Sequence, residues 1–119
     1  MKQNEAKYAG VKNEKILREL DVLIETECRR GVEKNGSHHS RHEALAVLEE
    51  ELFEAEQELE RMKYVFVLLK ESVFCDGGAL KIRKMLREIE QAATNGMLEM
   101  MQAGAMTKKF DLYMQTEES

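Results

Sequence analysis

The sequence contains no proline, and only seven of its 119 residues are glycine. Because proline and glycine are the residues that most disfavour a helix interior, little in this chain would interrupt long helices. Charged residues make up 34% of the sequence, and alanine, leucine, methionine, glutamate and lysine are abundant. This composition is typical of helices rather than sheets. We therefore expect a single all-α domain over residues 1–119, a helical bundle with long antiparallel helices.

Paired cysteines, long apolar runs and excess positive charge are also lacking. Cys28 and Cys75 have no paired spacing and no apolar signal segment is present, so we interpret both as packing residues in a reducing, cytoplasmic protein. The longest apolar run, from Tyr64 to Leu69, is far shorter than the roughly 20 residues that cross a bilayer. The net charge of −5 argues against nucleic-acid polymers and membrane surfaces as partners, because both favour basic patches.

Three helical segments are predicted between two poorly ordered ends. Residues 1–10 are polar and lack apolar periodicity, so we expect a flexible arm there, and residues 115–119 should fray. Asn35-Gly36 should end the first helix, and the glycine-containing segment 75–78 should separate the second helix from the third. The predicted helices run from about Asn13 to Glu33, from Arg41 to about Val73, and from about Ile82 to Tyr113.

The second helix has a strong start signal and a continuous apolar seam. Ser40 and Glu43, three residues apart, form a capping box. At 1.5 Å per residue the helix is about 50 Å long, more than a domain of this size can cover alone. We therefore expect a homo-oligomer, either a dimer or a tetramer. The seam residues alternate at spacings of three and four, and they are Leu45, Leu48, Leu52, Ala55, Leu59, Met62, Phe66, Leu69 and Val73.

The third helix carries an acidic residue at a seam position. Glu99 has the small residues Gly96 and Ala103 one turn before and after it, which would leave room for a ligand. Buried carboxylates are rarely unpaired, so the alternative is an ion pair with a basic residue such as Arg87 or Lys63. Gly96 could also split the helix, although the unbroken register favours one continuous helix.

The second helix carries many glutamates, three of which share one strip. At 100° per residue, Glu51, Glu54 and Glu58 lie immediately beside the apolar seam. A run of charges on a helix usually marks a solvated face, but like charges three and four residues apart repel each other. A cation between these carboxylates would relieve the repulsion, and oxygen ligands of this kind suit Mg²⁺ or Mn²⁺.

Two stretches of the chain carry a wider motif. They read HEALAVLEEELFE at residues 42–54 and EMMQAGAM at residues 99–106. They resemble the all-α nucleoside triphosphate pyrophosphohydrolases, which include the MazG-like proteins and the dimeric dUTPases, and are most similar to short phage-encoded relatives from Gram-positive bacteria. In that family a Glu-Glu-x-x-Glu helix faces a Glu-x-x-Asp helix, and the four carboxylates hold magnesium ions that bind the triphosphate and activate a water.

The resemblance implies a role for each matched residue. Glu51 and Glu54 fall on the first acidic pair, and Glu99 falls on the first acid of the second motif. Gln102 falls where an aspartate is expected, which removes one negative charge from the implied metal site. Either Glu50 or Glu54 would orient the attacking water. The gap between Glu54 and Glu99 is longer than is usual in the family, so an added helical stretch must be accommodated.

A site for phosphorylated ligands also needs basic groups to neutralise phosphate oxygens. Lys84, Arg87, Lys108 and Lys109 on the third helix are the candidates, with a solvated basic face as the alternative. His42 matches the opening histidine of the family and would lie at the rim of the pocket. We place His38 and His39 in a solvated turn before the Ser40 cap.

Three functions remain open on the sequence alone. The first is a Mg²⁺-dependent pyrophosphohydrolase that converts nucleoside or deoxynucleoside triphosphates to the monophosphate and pyrophosphate. The second is a non-catalytic binder that sequesters a phosphorylated nucleotide signal or metabolite, which the neutral Gln102 favours. The third is a helical interaction module without a ligand, which the unbroken seam of the second helix favours.

Overall fold

The computed structural model describes residue 10 and residues 12–118, and these form three α-helices without a strand. Helix α1 spans Glu14–Asn35, α2 spans Arg41–Phe74 and α3 spans Ala79–Glu118. The all-α prediction is confirmed. The predicted arm at residues 1–10 lies outside the described residues except for Gly10. Within the described part of the chain, the helices are too short or too polar to cross a membrane.

The connection between α1 and α2 follows the local signals in the sequence. Gly36 adopts a φ of 75°, a conformation that favours glycine, and its amide donates to the Val32 carbonyl at 2.8 Å. The hydroxyl of Ser40 accepts a hydrogen bond from the Glu43 amide at 3.0 Å. The predicted end of α1 and the predicted cap of α2 are therefore both confirmed.

Helix α3 is continuous through Gly96 and longer than predicted. A Cβ atom added at Gly96 would lie 3.4 Å from the Cβ of Glu58, so this glycine lets α2 and α3 approach closely instead of splitting the helix. Residues 115–118, which the sequence analysis assigned to a frayed tail, lie within this helix. The helix continues to Glu118, and Arg41 at the start of α2 donates to Glu117 at 2.7 Å.

Helix α3 is the central element, because α2 and α1 both pack against it. The molecule measures 63 × 34 × 20 Å. Its smallest dimension corresponds to about two helix diameters, and its largest to the roughly 60 Å length of a 40-residue helix. The contacts of α2 with α3 join Arg41 to Glu117, Glu58 to Gly96 and Ser72 to Met85.

The buried core is small, and part of the predicted seam is exposed. No large side chain among the described residues is fully buried. The accessible surface is 9251 Å², whereas a compact protein of this mass would expose about 6,600 Å². One apolar row along α2, which we call the α2 stripe, is between 49% and 56% exposed. The α2 stripe consists of Leu45, Leu52, Leu59, Phe66 and Val73.

The two cysteines differ in their surroundings. Cys28 of α1 is buried, whereas Cys75, after the end of α2, is exposed, and both thiols are free. The interpretation as a packing residue is confirmed for Cys28 and wrong for Cys75. Cys75 follows the last turn of α2, where no other described helix covers it.

Candidate metal and phosphate site

Three predicted ligands meet at the interface between α2 and α3. Glu51 and Glu54 are three residues apart on α2 and therefore share a face, and Glu99 projects from α3. Each of the three offers one carboxylate oxygen, and these oxygens all lie within 4.8 Å of one another. We call this group the carboxylate cluster.

The carboxylate cluster contains buried oxygens that the described residues do not satisfy. One oxygen each of Glu51 and Glu99 is buried without a hydrogen-bond partner, as is one oxygen of Glu58, which lies outside the cluster. The basic partner suggested for Glu99 is not found in the described part of the chain, where Lys63 lies 3.6 Å from Glu60 instead. Buried carboxylate oxygens without partners are costly, so the cluster favours the binding of a positive charge.

Two carboxyl groups of the cluster, those of Glu51 and Glu99, have raised pKa values. Burial raises the pKa of Glu51, and the negative charges of Glu54 and Glu99 raise it further. Burial also raises the pKa of Glu99, with further contributions from Glu54 and Glu58. Without a cation, these carboxylates therefore hold protons more tightly than ordinary glutamates do.

The donor set fits a divalent cation. Two oxygens on opposite sides of Mg²⁺ are about 4.2 Å apart and those around Ca²⁺ about 5 Å apart, so the observed spread of up to 4.8 Å requires only a small contraction for Mg²⁺. Gln102 lines the same pocket as Glu51 and follows Glu99 by three residues on α3, which places both on one face of that helix.

A pocket of ≈ 440 Å³ opens beside the cluster, where all three helices meet. We call it the interhelical pocket. It is bounded by the last two turns of α1, the turn before α2, the first turns of α2 and the second half of α3. The polar side chains on its walls include Arg30, Lys34, His38, Glu51, Gln102 and Lys109.

Of the predicted phosphate-binding residues, the structure brings Lys109 alone to this pocket. Lys108 lies on another surface of α3, where its Nζ atom is 3.3 Å from Glu25. Lys84 and Arg87 are exposed and lie about 22 and 18 Å from Glu99 along the helix axis at 1.5 Å per residue. They are too distant to share a small ligand with the cluster.

His42 and Glu50 are also outside the cluster. His42 is exposed in the first turn of α2, and Glu50 is exposed on the outer side of the same helix. Glu50 lines a different surface groove with Glu49 and Phe53. Glu54, which belongs to the cluster, is therefore better placed than Glu50 to orient a water there.

Sequence reasoning missed the contribution of α1 and of the turn that follows it. His38 was expected to be solvated, but only 1% of its side chain is exposed, and its ring packs edge to face on Phe110 with centroids 6.5 Å apart. His39 is exposed as expected, at 86%. Arg30 and Lys34 are four residues apart and so share a face of α1. The spacing of four residues was the sequence feature that could have indicated a basic surface on α1.

The arrangement places a group of carboxylates and several basic side chains beside one cavity. In comparisons with known proteins, no family model, no curated protein and no solved structure matched this chain. The functional interpretation therefore depends on the geometry of the carboxylate cluster and the interhelical pocket.

Proposed function

We propose that the protein is a Mg²⁺-dependent pyrophosphohydrolase that converts a nucleoside or deoxynucleoside triphosphate to the monophosphate and pyrophosphate. The observation that carries this proposal is the convergence of Glu51, Glu54 and Glu99 from two helices, with buried oxygens that lack partners. Like charges so close together are unfavourable unless a cation lies between them. The motif resemblance supports the reaction type.

In this proposal the carboxylate cluster holds the ion, and Gln102 completes the set of oxygen donors. A divalent cation, when bound, supplies positive charge that neutralises phosphate oxygens and makes water more acidic. Glu54 orients the attacking water and accepts its proton. The water oxygen bonds to the α-phosphorus, the bond from that phosphorus to the oxygen bridging to the β-phosphorus breaks, and pyrophosphate leaves with that oxygen.

A non-catalytic nucleotide binder is the second candidate function. Gln102 favours it, because a neutral amide lines the pocket beside Glu51 where an anionic ligand would strengthen metal binding. In this case the protein retains the phosphorylated ligand intact. The two candidates share a ligand class and differ only in turnover.

The proposal also includes a finer architecture, in which α2 and α3 are antiparallel and a second copy of the chain covers the α2 stripe. The order of the contacts between α2 and α3 supports the first part. For the second part, an apolar groove of ≈ 600 Å³ lies beside Leu52 and Leu59, with Met97 and Met100 on its other side. The accessible surface of the chain is larger than that of a compact monomer of the same mass, and the difference is greater than the roughly 800 Å² that each partner buries in a stable interface.

We place this activity in the reducing cytoplasm. The free thiols of Cys28 and Cys75 are compatible with that setting. A small nucleotide is the partner that we propose, rather than a nucleic-acid polymer or a membrane, because the net charge is −5.

The test is to incubate the purified protein with a mixture of nucleoside and deoxynucleoside triphosphates and Mg²⁺. Anion-exchange chromatography then quantifies bound, free and cleaved species. We expect monophosphate and pyrophosphate to appear, and both Glu51→Gln and Glu99→Gln to reduce the rate at least about a hundredfold. Glu49→Gln, an exposed glutamate of the same helix, is the matched control and should retain the full rate.

The other outcomes separate the candidates. Intact nucleotide retained by the protein would support the binder and contradict the hydrolase. If no nucleotide species changed and none was retained, both candidates would be wrong and a helical interaction module would remain.

A further inference from the structure

Two polar side chains that line the interhelical pocket, His38 and Lys109, are buried residues. His38 is 4% exposed, and neither of its ring nitrogens has a hydrogen-bond partner among the described residues. The nearest carboxylate oxygen belongs to Glu43 and is 3.7 Å from Nδ1, beyond hydrogen-bonding distance. Lys109 is 7% exposed and makes no ion pair with any described residue. Buried ring nitrogens such as those of His38 normally have a hydrogen-bond partner, so a ligand that accepts a hydrogen bond is expected beside them.

Most of the negative charge around the pocket is already engaged. Glu27 accepts two hydrogen bonds from Arg30, the shorter at 2.7 Å. Glu43 lies 3.2 Å from the ring of His39 and also faces the backbone amide of that residue. Glu51 belongs to the carboxylate cluster. Two of the three carboxylates that line the pocket, those of Glu27 and Glu43, are therefore engaged by neighbouring groups, whereas Lys34 and Lys109 form no ion pair with a described residue.

We propose that the interhelical pocket binds the phosphate group of a small phosphorylated ligand, with Lys109 and Lys34 as its charge partners and His38 as a hydrogen-bond donor. A phosphate presents several acceptor oxygens at once, so it can satisfy two ammonium groups and an imidazole N–H together. The pocket volume of ≈ 440 Å³ lies in the range of small-molecule sites and leaves room for the remainder of the ligand.

This site deepens the proposed function, and it rests on that function for the identity of the rest of the ligand. Because Glu51 lines both the pocket and the cluster, a polyphosphate held at Lys109 would extend toward the cation. Binding of the phosphate itself needs only Lys109, Lys34 and His38. The two proposals can therefore fail separately.

The experiment is isothermal titration calorimetry of the full chain in EDTA, so that no divalent cation contributes. The probes are inorganic phosphate, pyrophosphate and a nucleoside monophosphate, which distinguish free phosphate from the phosphate of a nucleotide. We expect the wild type to bind at least one of them. Lys109→Gln and Lys34→Gln should each weaken that binding at least about tenfold, because each removes a charged partner.

The chain offers two matched controls. Lys108→Gln removes the lysine next to Lys109 in the sequence. The ammonium group of Lys108 pairs with Glu25 and does not line the pocket. Lys70→Gln removes an exposed lysine of α2 and changes the net charge equally. Both should bind like the wild type. Lys34 is exposed, so its substitution does not disturb a buried site, and unchanged circular dichroism spectra would establish that all variants are folded.

Wild-type binding to none of the probes, or unaltered binding by both Lys109→Gln and Lys34→Gln, would overturn the pocket. If triphosphate hydrolysis in Mg²⁺ survived these two substitutions, the reaction would stand without the pocket. Binding in EDTA that is weakened as expected, together with no hydrolysis in Mg²⁺, would support the pocket and contradict the proposed reaction.

Discussion

Ile24 of α1 lies directly against Gly104 of α3. A Cβ atom added at Gly104 would be 3.1 Å from Cδ1 of Ile24 and 3.4 Å from its Cγ2. Contacts this short mean that the two helices approach where a larger side chain does not fit. The contact therefore sets the distance between α3 and the helix that carries Arg30 and Lys34 into the interhelical pocket.

Enlarging Gly104 should loosen α1. We expect Gly104→Val to lower the free energy of unfolding by about 1–3 kcal/mol, as overpacking of a tight contact does. Gly31→Ala is the matched control, since its Cβ would lie 3.8 Å from the end of the Met106 side chain, and the higher helix propensity of alanine should add about 0.5–1 kcal/mol. Urea titrations followed by circular dichroism would measure both. If Gly104→Val were as stable as the wild type, the contact between Ile24 and Gly104 would not set the distance between α1 and α3.

The carboxylate cluster should make the metal-free protein less stable as the pH rises. The folded-state pKa values of Glu51 and Glu99 are raised above the ordinary value of 4.5, so the folded state holds these protons more tightly than the unfolded state does. This stabilisation is fully present below the unfolded pKa and is lost as the pH rises through the folded values. Urea unfolding in EDTA at a series of pH values would measure it.

Glu99→Gln should flatten this pH dependence, because it removes one of the repelling charges. Glu60→Gln, an exposed glutamate near Lys63, should leave it unchanged. Addition of Mg²⁺ to the wild type should restore stability at the upper end of the pH range. A profile for Glu99→Gln identical to that of the wild type would contradict the linkage.

An acidic residue at position 102 should strengthen the proposed metal binding. Gln102 lines the pocket with Glu51, so Gln102→Asp would add a carboxylate to the proposed cation site. We expect the apparent dissociation constant for Mg²⁺ to fall about tenfold or more, measured by calorimetry. Gln91→Asp is the control, because Gln91 is exposed and bonded to Asn95. Equal effects of the two substitutions would indicate nonspecific electrostatics.

A charge on the α2 stripe should dissociate the proposed oligomer. Leu59 is 49% exposed, and we expect Leu59→Lys to shift the molar mass measured by light scattering toward that of one chain. Tyr64→Lys is the control, because Tyr64 is 67% exposed but lies outside the stripe. A wild type that is already monomeric, or a dimer that tolerates the charge, would exclude this interface.

The helix boundaries were predictable because they depend on neighbouring residues. The Ser40 cap, the Gly36 stop and the break at 75–78 are local signals, and α2 and α3 begin within a few residues of the predictions. The side of α2 that faces α3 was harder to predict. Apolar residues cover more than one face of α2, so periodicity alone does not distinguish the face packed on α3 from the exposed α2 stripe.

The candidate site was partly predictable for the same reason. The spacing of Glu51 and Glu54 places both on one face of α2, and the motif resemblance brought in Glu99 from a distant part of the chain. His38 was missed because its burial depends on Phe110 of α3, a contact between distant residues that local sequence does not encode. Arg30 and Lys34 were not among the residues singled out from the sequence, because it is the packing of α1 that brings them to the pocket.

The residues of the site are divided among the three helices, so different parts of the site can change independently during evolution. The carboxylate cluster belongs to α2 and α3, whereas much of the basic wall belongs to α1. If the proposed site is correct, substitutions on α1 would alter which ligand is preferred while the residues of the carboxylate cluster stay the same. We expect related chains with different ligand preferences to differ most on the face of α1 that lines the pocket. Exchanging α1 between two such chains should transfer the preference.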